Sequence, residues 1–142
     1  MNKDKIKFNN RSIPFKETRK RRPLALIETY TRLIATLSET LGQARICDIA
    51  RTMKISHVSA IKNIKRLIRE GYVIQDSPLI LLTLKGREMA IFSHEKHSIL
   101  SNFLLNLGVP EDVVSIDVPG MQPYVSTLTL EAMTAHMSFH LR

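Results

Sequence analysis

The sequence predicts a mainly α-helical protein: a winged helix-turn-helix followed by a smaller helical unit. Apolar residues recur at helical spacing through most of the chain, and a single hairpin pattern interrupts them. The length of 142 residues suits one compact domain, or two small ones that need each other or a partner subunit to bury enough surface. We divide the chain into a basic tail (1–23), the winged helix-turn-helix (24–84) and a helical dimerisation unit (85–142).

The first segment is strongly basic. Residues 1–23 carry nine Lys or Arg and two acidic side chains, which give this segment a net charge of +7. The whole chain has a net charge of +8. Because the segment is poor in apolar residues, we expect a flexible tail. Its RKRR cluster could follow phosphates or enter a minor groove, which makes Arg19, Arg21 and Arg22 candidate DNA contacts. A tail that only improves solubility is the alternative.

A helix-turn-helix pattern follows the first long helix. That helix is expected from Pro23 to Leu41, with Gly42 at its end. A short helix over 44–51, a break at 53–56 and a second helix over 57–70 come next. Ser56 is a suitable N-cap for the second helix, and Gly71 suits its C-terminal end.

The second helix of this pair has the character of a recognition helix. Its apolar side consists of Ala60, Ile61, Ile64, Leu67 and Ile68, and basic or polar residues form the rest. A basic outer face fits a major groove lined with phosphates, although an ordinary amphipathic helix would show the same segregation. We expect Ser59 and Lys62 to reach base edges. The full set of candidate contacts is Lys54, Ser56, His57, Ser59, Lys62, Lys65 and Arg66.

The hairpin completes the winged helix. Residues 72–75 and 79–84 have the composition of short strands, and Asp76-Ser77-Pro78 connects them. The hairpin tip contains no lysine or arginine. We therefore expect only a weak contact between this wing and DNA.

Residues 85–142 predict a separate helical unit with a net charge of −2. A long helix is expected over 85–107, a short one begins at Pro110, and Ser126 caps a last helix through Phe139. These helices expose much Leu, Phe and Met for so small a unit. Packing against a second copy would cover this surface and pair two recognition helices for a palindromic operator in double-stranded DNA.

Several other classes of protein are disfavoured. No apolar run approaches the roughly 20 residues of a membrane span, and charges recur from Lys3 to Arg22, where a secretory signal would be apolar. A single cysteine, Cys47, fits a reducing cytoplasm, and we expect it to be a buried structural thiol rather than a redox sensor. The sequence has no Gly-rich phosphate loop, nucleophile elbow or HExxH helix, so an enzyme is not expected.

From about Leu24 to Phe139 the chain resembles the manganese transport regulator branch of the diphtheria-toxin-repressor family. The resemblance is carried by ALIETYTRLI, ARICDIARTMKIS, IKRLIREGYVI, LTLKGREMA, KHSILSNFLLNLGV and DVPGMQPYVS. It implies a bacterial cytoplasmic homodimer that regulates promoters. In that family, manganese or iron bound between the two domains sets the spacing of the recognition helices.

The positions that bind metal in the family have changed here. Of six ligand positions implied by the resemblance, only a histidine remains, while an acidic pair and the later Glu, Glu and His are replaced. A hard divalent cation needs several carboxylates and imidazoles, so we predict that the protein works without a metal cofactor. We also expect Arg32 to hold a nearby carboxylate or carbonyl in place of the ion. The six positions are Thr29, Arg32, His97, Pro119, Gln122 and Pro123.

Three alternatives remain open at this stage. The altered pocket could bind a non-metal ligand, or His94 with Glu95 could belong to a relocated metal site. The chain could also be an interaction protein that forms mixed dimers with a metal-dependent relative and antagonises it. We expect His136 and His140 to be surface or dimer-contact residues.

Overall fold

The computed structural model describes residues 13–140 and confirms a winged helix-turn-helix followed by a helical unit. Six α-helices and one two-stranded antiparallel sheet are present in this part of the chain, with a 3-10 turn at Gln122–Tyr124. Among the described residues, no helix has both the length and the apolar character needed to cross a bilayer. The elements are α1 (Ile13–Leu41), α2 (Ile46–Met53), α3 (His57–Arg69), β1 (Val73–Asp76), β2 (Leu79–Leu82), α4 (Leu84–Asn106), α5 (Glu111–Met121) and α6 (Thr127–His140).

The first helix begins ten residues earlier than the sequence predicted. Helix α1 runs from Ile13 through Pro23, so the second half of the predicted flexible tail is helical. Pro23 suggested a helix start because proline suits the first helical position. In the structure the guanidinium of Arg21 donates to the carbonyl of Tyr124, 103 residues away, which connects the extra turns to the 3-10 turn. The remainder of the predicted tail, residues 1–12, lies outside the described residues.

The winged helix-turn-helix encloses the larger of two buried clusters found in residues 13–140. Ile27, Tyr30 and Ile34 of α1 pack against apolar residues of α2, α3 and both strands. The strands pair with Val73 opposite Leu82. The amide of Ile80 donates to the carbonyl of Ala44 (2.8 Å), which joins the outer edge of β2 to the residues before α2. The wing is therefore fixed to the helix-turn-helix.

The second cluster lies in the C-terminal unit and consists of Leu100, Val114, Val118 and Leu130. Helix α4 takes part in both clusters, because Met89 packs against the first and Leu100 lies in the second. This continuous helix of 23 residues links the two units.

Cys47 is exposed, so the prediction of a buried thiol is wrong. Ile49 and Ala50 provide the buried face of α2, and Ile46 and Met53 pack at its edges. This face repeats at intervals of three and four residues, and Cys47 lies off it.

The start of α4 depends on a close approach of two backbones. Thr83 caps the helix by accepting from the amide of Gly86 (3.1 Å), and its own hydroxyl donates to the carbonyl of Gly71 (2.6 Å). A Cβ atom at Gly86 would lie 2.0 Å from the carbonyl oxygen of Tyr72. Only glycine allows α4 to pack directly on the chain that leads into β1.

We predict that Gly86→Ala lowers the free energy of unfolding by about 1 to 3 kcal/mol, because the backbone must move to accept the methyl group. Gly120→Ala is the matched control, since nothing lies within 4 Å of a Cβ there. That substitution should leave stability unchanged or raise it. Urea unfolding measures both. Equal stability of the two variants would contradict the close packing described above.

Candidate nucleic-acid interface

Helix α3 begins with the predicted cap. The hydroxyl oxygen of Ser56 accepts from the amide of Ser59 (3.1 Å), and the Ser56 hydroxyl donates to the Ser59 oxygen (2.9 Å). Both side chains are exposed. Ser59 therefore supports the first turn of the helix and still has its own hydroxyl hydrogen for a further acceptor.

The outer side of α3 and the turn before it form a polar, basic surface. Ala60, Ile64 and Leu67 are buried on the opposite side, as predicted, whereas Ile68 is exposed rather than part of the apolar side. Arg66 is partly buried, and its Nε lies 3.4 Å from a carboxylate oxygen of Glu70. The other candidate contacts are exposed: Lys54, Ser56, His57, Ser59, Lys62 and Lys65.

A backbone conformation and a hydrogen bond set the position of this surface. Lys54 ends α2 with φ of 54° and ψ of 45°, the left-handed region that residues other than glycine seldom adopt. The side-chain amide of Asn63 donates to the hydroxyl of Tyr30 (2.7 Å), which ties α3 to α1. Burial of Tyr30 raises the pKa of its phenol, so the hydroxyl stays protonated.

Sequence reasoning missed Val58, which lies in the first turn of α3 and is 76% exposed. An exposed apolar side chain at this place in a recognition helix can contact a thymine methyl group. Its position between His57 and Ser59, two candidate contacts, was the signal that could have identified it.

The RKRR cluster belongs to a helix and is therefore not a mobile arm. Arg21 is engaged by the carbonyl of Tyr124, beside the C-terminal unit, whereas Arg19 and Arg22 are exposed. We keep only Arg19 and Arg22 as predicted phosphate contacts. The wing tip carries Gln75, Asp76 and Ser77, and its weak contact with DNA remains a prediction.

A second feature lies behind this surface, where α1 meets α4 and the 3-10 turn. Four buried polar residues from these elements, Glu28, Ser93, Lys96 and Gln122, form what we call the polar cluster. The ammonium of Lys96 lies 3.3 Å from Oε1 of Glu28, and both side chains are about 95% buried. The Gln122 amide donates to Oε2 of Glu28 (3.4 Å) and to the carbonyl and hydroxyl oxygens of Ser93 (3.0 Å each).

The polar cluster adjoins the positions at which the resemblance implies metal ligands. Gln122 belongs to both sets, Thr29 follows Glu28, and His97 follows Lys96. The buried Pro123 and the exposed Pro119 offer no side-chain donor. Within residues 13–140, no group of three or more His, Cys, Asp or Glu side chains is placed to hold a metal ion. An ammonium and a guanidinium repel a divalent cation, the two prolines supply no side-chain ligand, and one imidazole with one amide oxygen is too small a ligand set.

Arg32 does not make the bridge that was predicted for it. Its guanidinium is half-buried, burial lowers its pKa, and the charge of Glu28 opposes that change. Among the described residues, no carboxylate lies within ion-pair distance of Arg32, because Glu28 pairs with Lys96. The sequence could not show whether Arg32 on α1 or Lys96 on α4 would pair with the carboxylate of Glu28.

The surroundings of His97 favour the neutral form of its side chain. Burial lowers its pKa, the charges of Arg32 and His94 act in the same direction, and the nearby amide of Gln122 opposes them. Within residues 13–140, Nδ1 of His97 and Oε1 of Gln122 have no hydrogen-bond partner. A neutral imidazole can act as a metal ligand, but the neighbouring side chains do not complete a metal site around it.

Sequence reasoning missed Glu28, Ser93 and Lys96. Each lies beside or one turn away from a position that the resemblance singled out: Glu28 precedes Thr29, and Ser93 and Lys96 precede His97 by four residues and by one. Helical spacing was therefore a usable signal. It does not show which charges are buried, because burial depends on how α1 and α4 cross.

These features define a class of protein. A capped recognition helix with an exposed basic side, a wing, and a second helical unit joined to them by α4 together make a winged-helix DNA-binding transcriptional regulator.

Comparison with known proteins identifies the family. Residues 24–77 match the family model described as "Iron dependent repressor, N-terminal DNA binding domain". The transcriptional regulator MntR of Salmonella typhimurium is 37% identical over 128 residues, which cover 89% of this chain and 81% of that protein. The regulator MntR of Listeria welshimeri is 32% identical over 105 residues, covering 73% and 74%. The chain belongs to the MntR branch of the diphtheria-toxin-repressor family.

Solved structures show the same fold. The manganese regulator SloR superposes with a TM-score of 0.71 at 24% identity, over 80% of this chain and 54% of that one. A manganese-dependent transcriptional repressor in complex with manganese superposes with a TM-score of 0.70 at 26% identity, over 79% and 52%. The chain thus spans about half the length of these solved structures.

The lowered pKa of His97 gives a pH dependence of known sign. Because the folded pKa lies below the ordinary value of 6.5, the unfolded chain takes up the proton more readily. The contribution of His97 to the free energy of unfolding is fully present above pH 6.5 and is lost as the pH falls below that value. His97→Gln should lose less stability than wild type between about pH 7.5 and about pH 5.5. Denaturant titrations at each pH test this, with exposed His57→Gln as control, since His57 is not among the groups that shift the pKa of His97. Equal losses in wild type and His97→Gln would contradict the prediction.

Proposed function

We propose that this protein is a homodimeric regulator that binds a palindromic operator in double-stranded DNA without a metal cofactor. The observation that carries the proposal is the combination of an exposed basic recognition helix with the replacement of five of the six side chains that the resemblance implies as metal ligands. Its family places it among transcriptional regulators. The sign of regulation is left open.

The DNA-binding surface supports the first part. Lys54, Lys62 and Lys65 are exposed on and beside α3, and a short contact between Asn63 and Tyr30 fixes the helix on its support. Lysines supply attraction to phosphates, while Ser59 and Val58 offer a hydrogen bond and an apolar contact to base edges.

Exposed apolar side chains on the C-terminal unit support the homodimer. Leu107, Ile116 and Leu128 are 62%, 75% and 78% exposed, on the end of α4, on α5 and on α6. Large apolar groups on so small a unit favour burial against a second copy, and a two-fold dimer would present two recognition helices to two half-sites.

The chemistry of the former ligand positions supports metal independence. Two of the similar solved structures are described as manganese regulators. A divalent cation would need carboxylates and imidazoles at the six positions that the resemblance implies as ligands. Here Arg32 adds a positive charge where a cation would sit, and Lys96 already neutralises Glu28. A cytoplasmic location follows from the same kinship and stays part of the proposal.

Capture of genomic fragments by the purified protein, in parallel with EDTA and with Mn²⁺, tests this function. We expect the same palindromic sites in both conditions. Sites that appear only with Mn²⁺ would overturn metal independence. No enrichment in either condition would overturn autonomous DNA binding and favour a regulator that needs another ligand or an antagonist that forms mixed dimers.

We predict that Lys62→Ala weakens binding to a captured site by about tenfold and makes the salt dependence shallower by about one phosphate contact. The matched control is Arg87→Ala, which removes an exposed charge from α4. Fluorescence anisotropy over a series of salt concentrations measures both quantities. If the two variants behave alike, Lys62 is not a phosphate contact.

A further inference from the structure

We infer that the ammonium of Lys96 is a built-in cation that joins the DNA-binding unit to the C-terminal unit, in the place where relatives would use a metal ion. We call the Lys96–Glu28 pair with its support from Gln122 and Ser93 the clasp. Lys96 is a positioning residue, since it acts through the arrangement of the two units. The effect of the clasp on operator binding rests on the proposed function, whereas its effect on the arrangement of the units does not.

The clasp connects elements from both units. Glu28 lies on α1, which supplies Ile27 and Tyr30 to the core of the winged helix-turn-helix. Lys96 lies on α4, one turn before Leu100 in the C-terminal core, and Gln122 lies in the 3-10 turn that follows α5. The clasp therefore joins α1 of the first unit to α4 and to the 3-10 turn of the second.

Every hydrogen-bonding group of the Glu28 carboxylate has a partner. Oε1 faces the Lys96 ammonium, and Oε2 accepts from the Gln122 amide. The Ser93 hydroxyl donates to the backbone carbonyl of Glu28 (3.1 Å) and accepts from Gln122. A buried charge pair is tolerable only when both carboxylate oxygens are satisfied in this way, because desolvation otherwise outweighs the attraction.

The charge balance explains why a metal is unnecessary. A carboxylate in a nearly dry site needs a positive charge beside it, and Lys96 supplies one that is covalently attached. A chelator cannot remove it, and the concentration of free metal cannot change it. The two units therefore keep one arrangement in all metal conditions, assisted by the contact from Arg21 to Tyr124.

The test variant removes both charges at once. Lys96→Met with Glu28→Gln conserves volume and leaves no unpaired charge buried, so the chain is expected to fold. Arg32→Gln is the control, because it removes a neighbouring cation that lies outside the clasp. Circular dichroism and thermal unfolding confirm that each variant is folded before it is used.

A distance within one chain is the first readout. Cys47 is an exposed natural labelling site on α2, and Ser115→Cys provides a second on exposed α5. Spin labels at both sites, diluted with unlabelled protein, report the distance between the units by pulsed electron resonance without DNA or a dimer. We expect one narrow distribution in EDTA and in Mn²⁺, the same in Arg32→Gln, and a broad one in the double variant.

DNA binding is the second readout. The double variant should lose about tenfold or more affinity for a complete palindrome while its affinity for a single half-site stays unchanged, since each helix-turn-helix is intact. Loss of both affinities, or of neither, would contradict a positioning role. A narrow distance in the double variant would overturn the clasp. A narrow wild-type distance together with failure to bind DNA in EDTA would instead overturn the proposed function and leave the clasp standing.

Discussion

The buried pair between Lys96 and Glu28 is the interaction on which the arrangement of this protein depends. It lies where helices from both units meet. Its two charges compensate each other, and the carboxylate also accepts from the Gln122 amide, which the Ser93 hydroxyl supports. Such a pair contributes little to net stability compared with apolar packing, but it penalises any arrangement in which the charges part. The pair therefore acts mainly by specifying how the two units are arranged.

The rest of the molecule transmits that geometry. Helix α4 passes through both cores, and its first turn rests on the backbone of Tyr72 because Gly86 has no side chain. Tyr30 lies two residues from Glu28 on α1 and holds α3 through Asn63. The same two helices thus carry the clasp and support the recognition helix. A change in the angle between α1 and α4 would move the DNA-binding surface relative to the C-terminal unit.

Local features were predictable from the sequence, and contacts between distant segments were not. Ser56 as a helix cap, the buried residues Ala60, Ile64 and Leu67 of α3 and the hairpin after α3 depend on neighbours in the chain, and all were predicted correctly. Ile68 was wrongly placed on the apolar side. The helical turns before Pro23 contact Tyr124 through Arg21, and the pairing of Glu28 depends on which cation α4 brings to it. The family resemblance identified the changed metal positions. We predicted that Arg32 would replace the ion, because the sequence does not show that Lys96 is buried beside Glu28.

The most direct measurement of the central claim is a ¹H–¹⁵N correlation spectrum tuned to lysine ammonium groups, recorded in EDTA. Exposed lysines exchange their protons with water too rapidly to be seen at neutral pH, whereas a buried, paired ammonium is protected. We expect a protected ammonium signal that is absent from the double variant Lys96→Met with Glu28→Gln, which leaves no unpaired charge buried, and that is retained in Arg32→Gln. A wild-type spectrum without a protected signal, or a protected signal that persists in the double variant, would contradict the clasp.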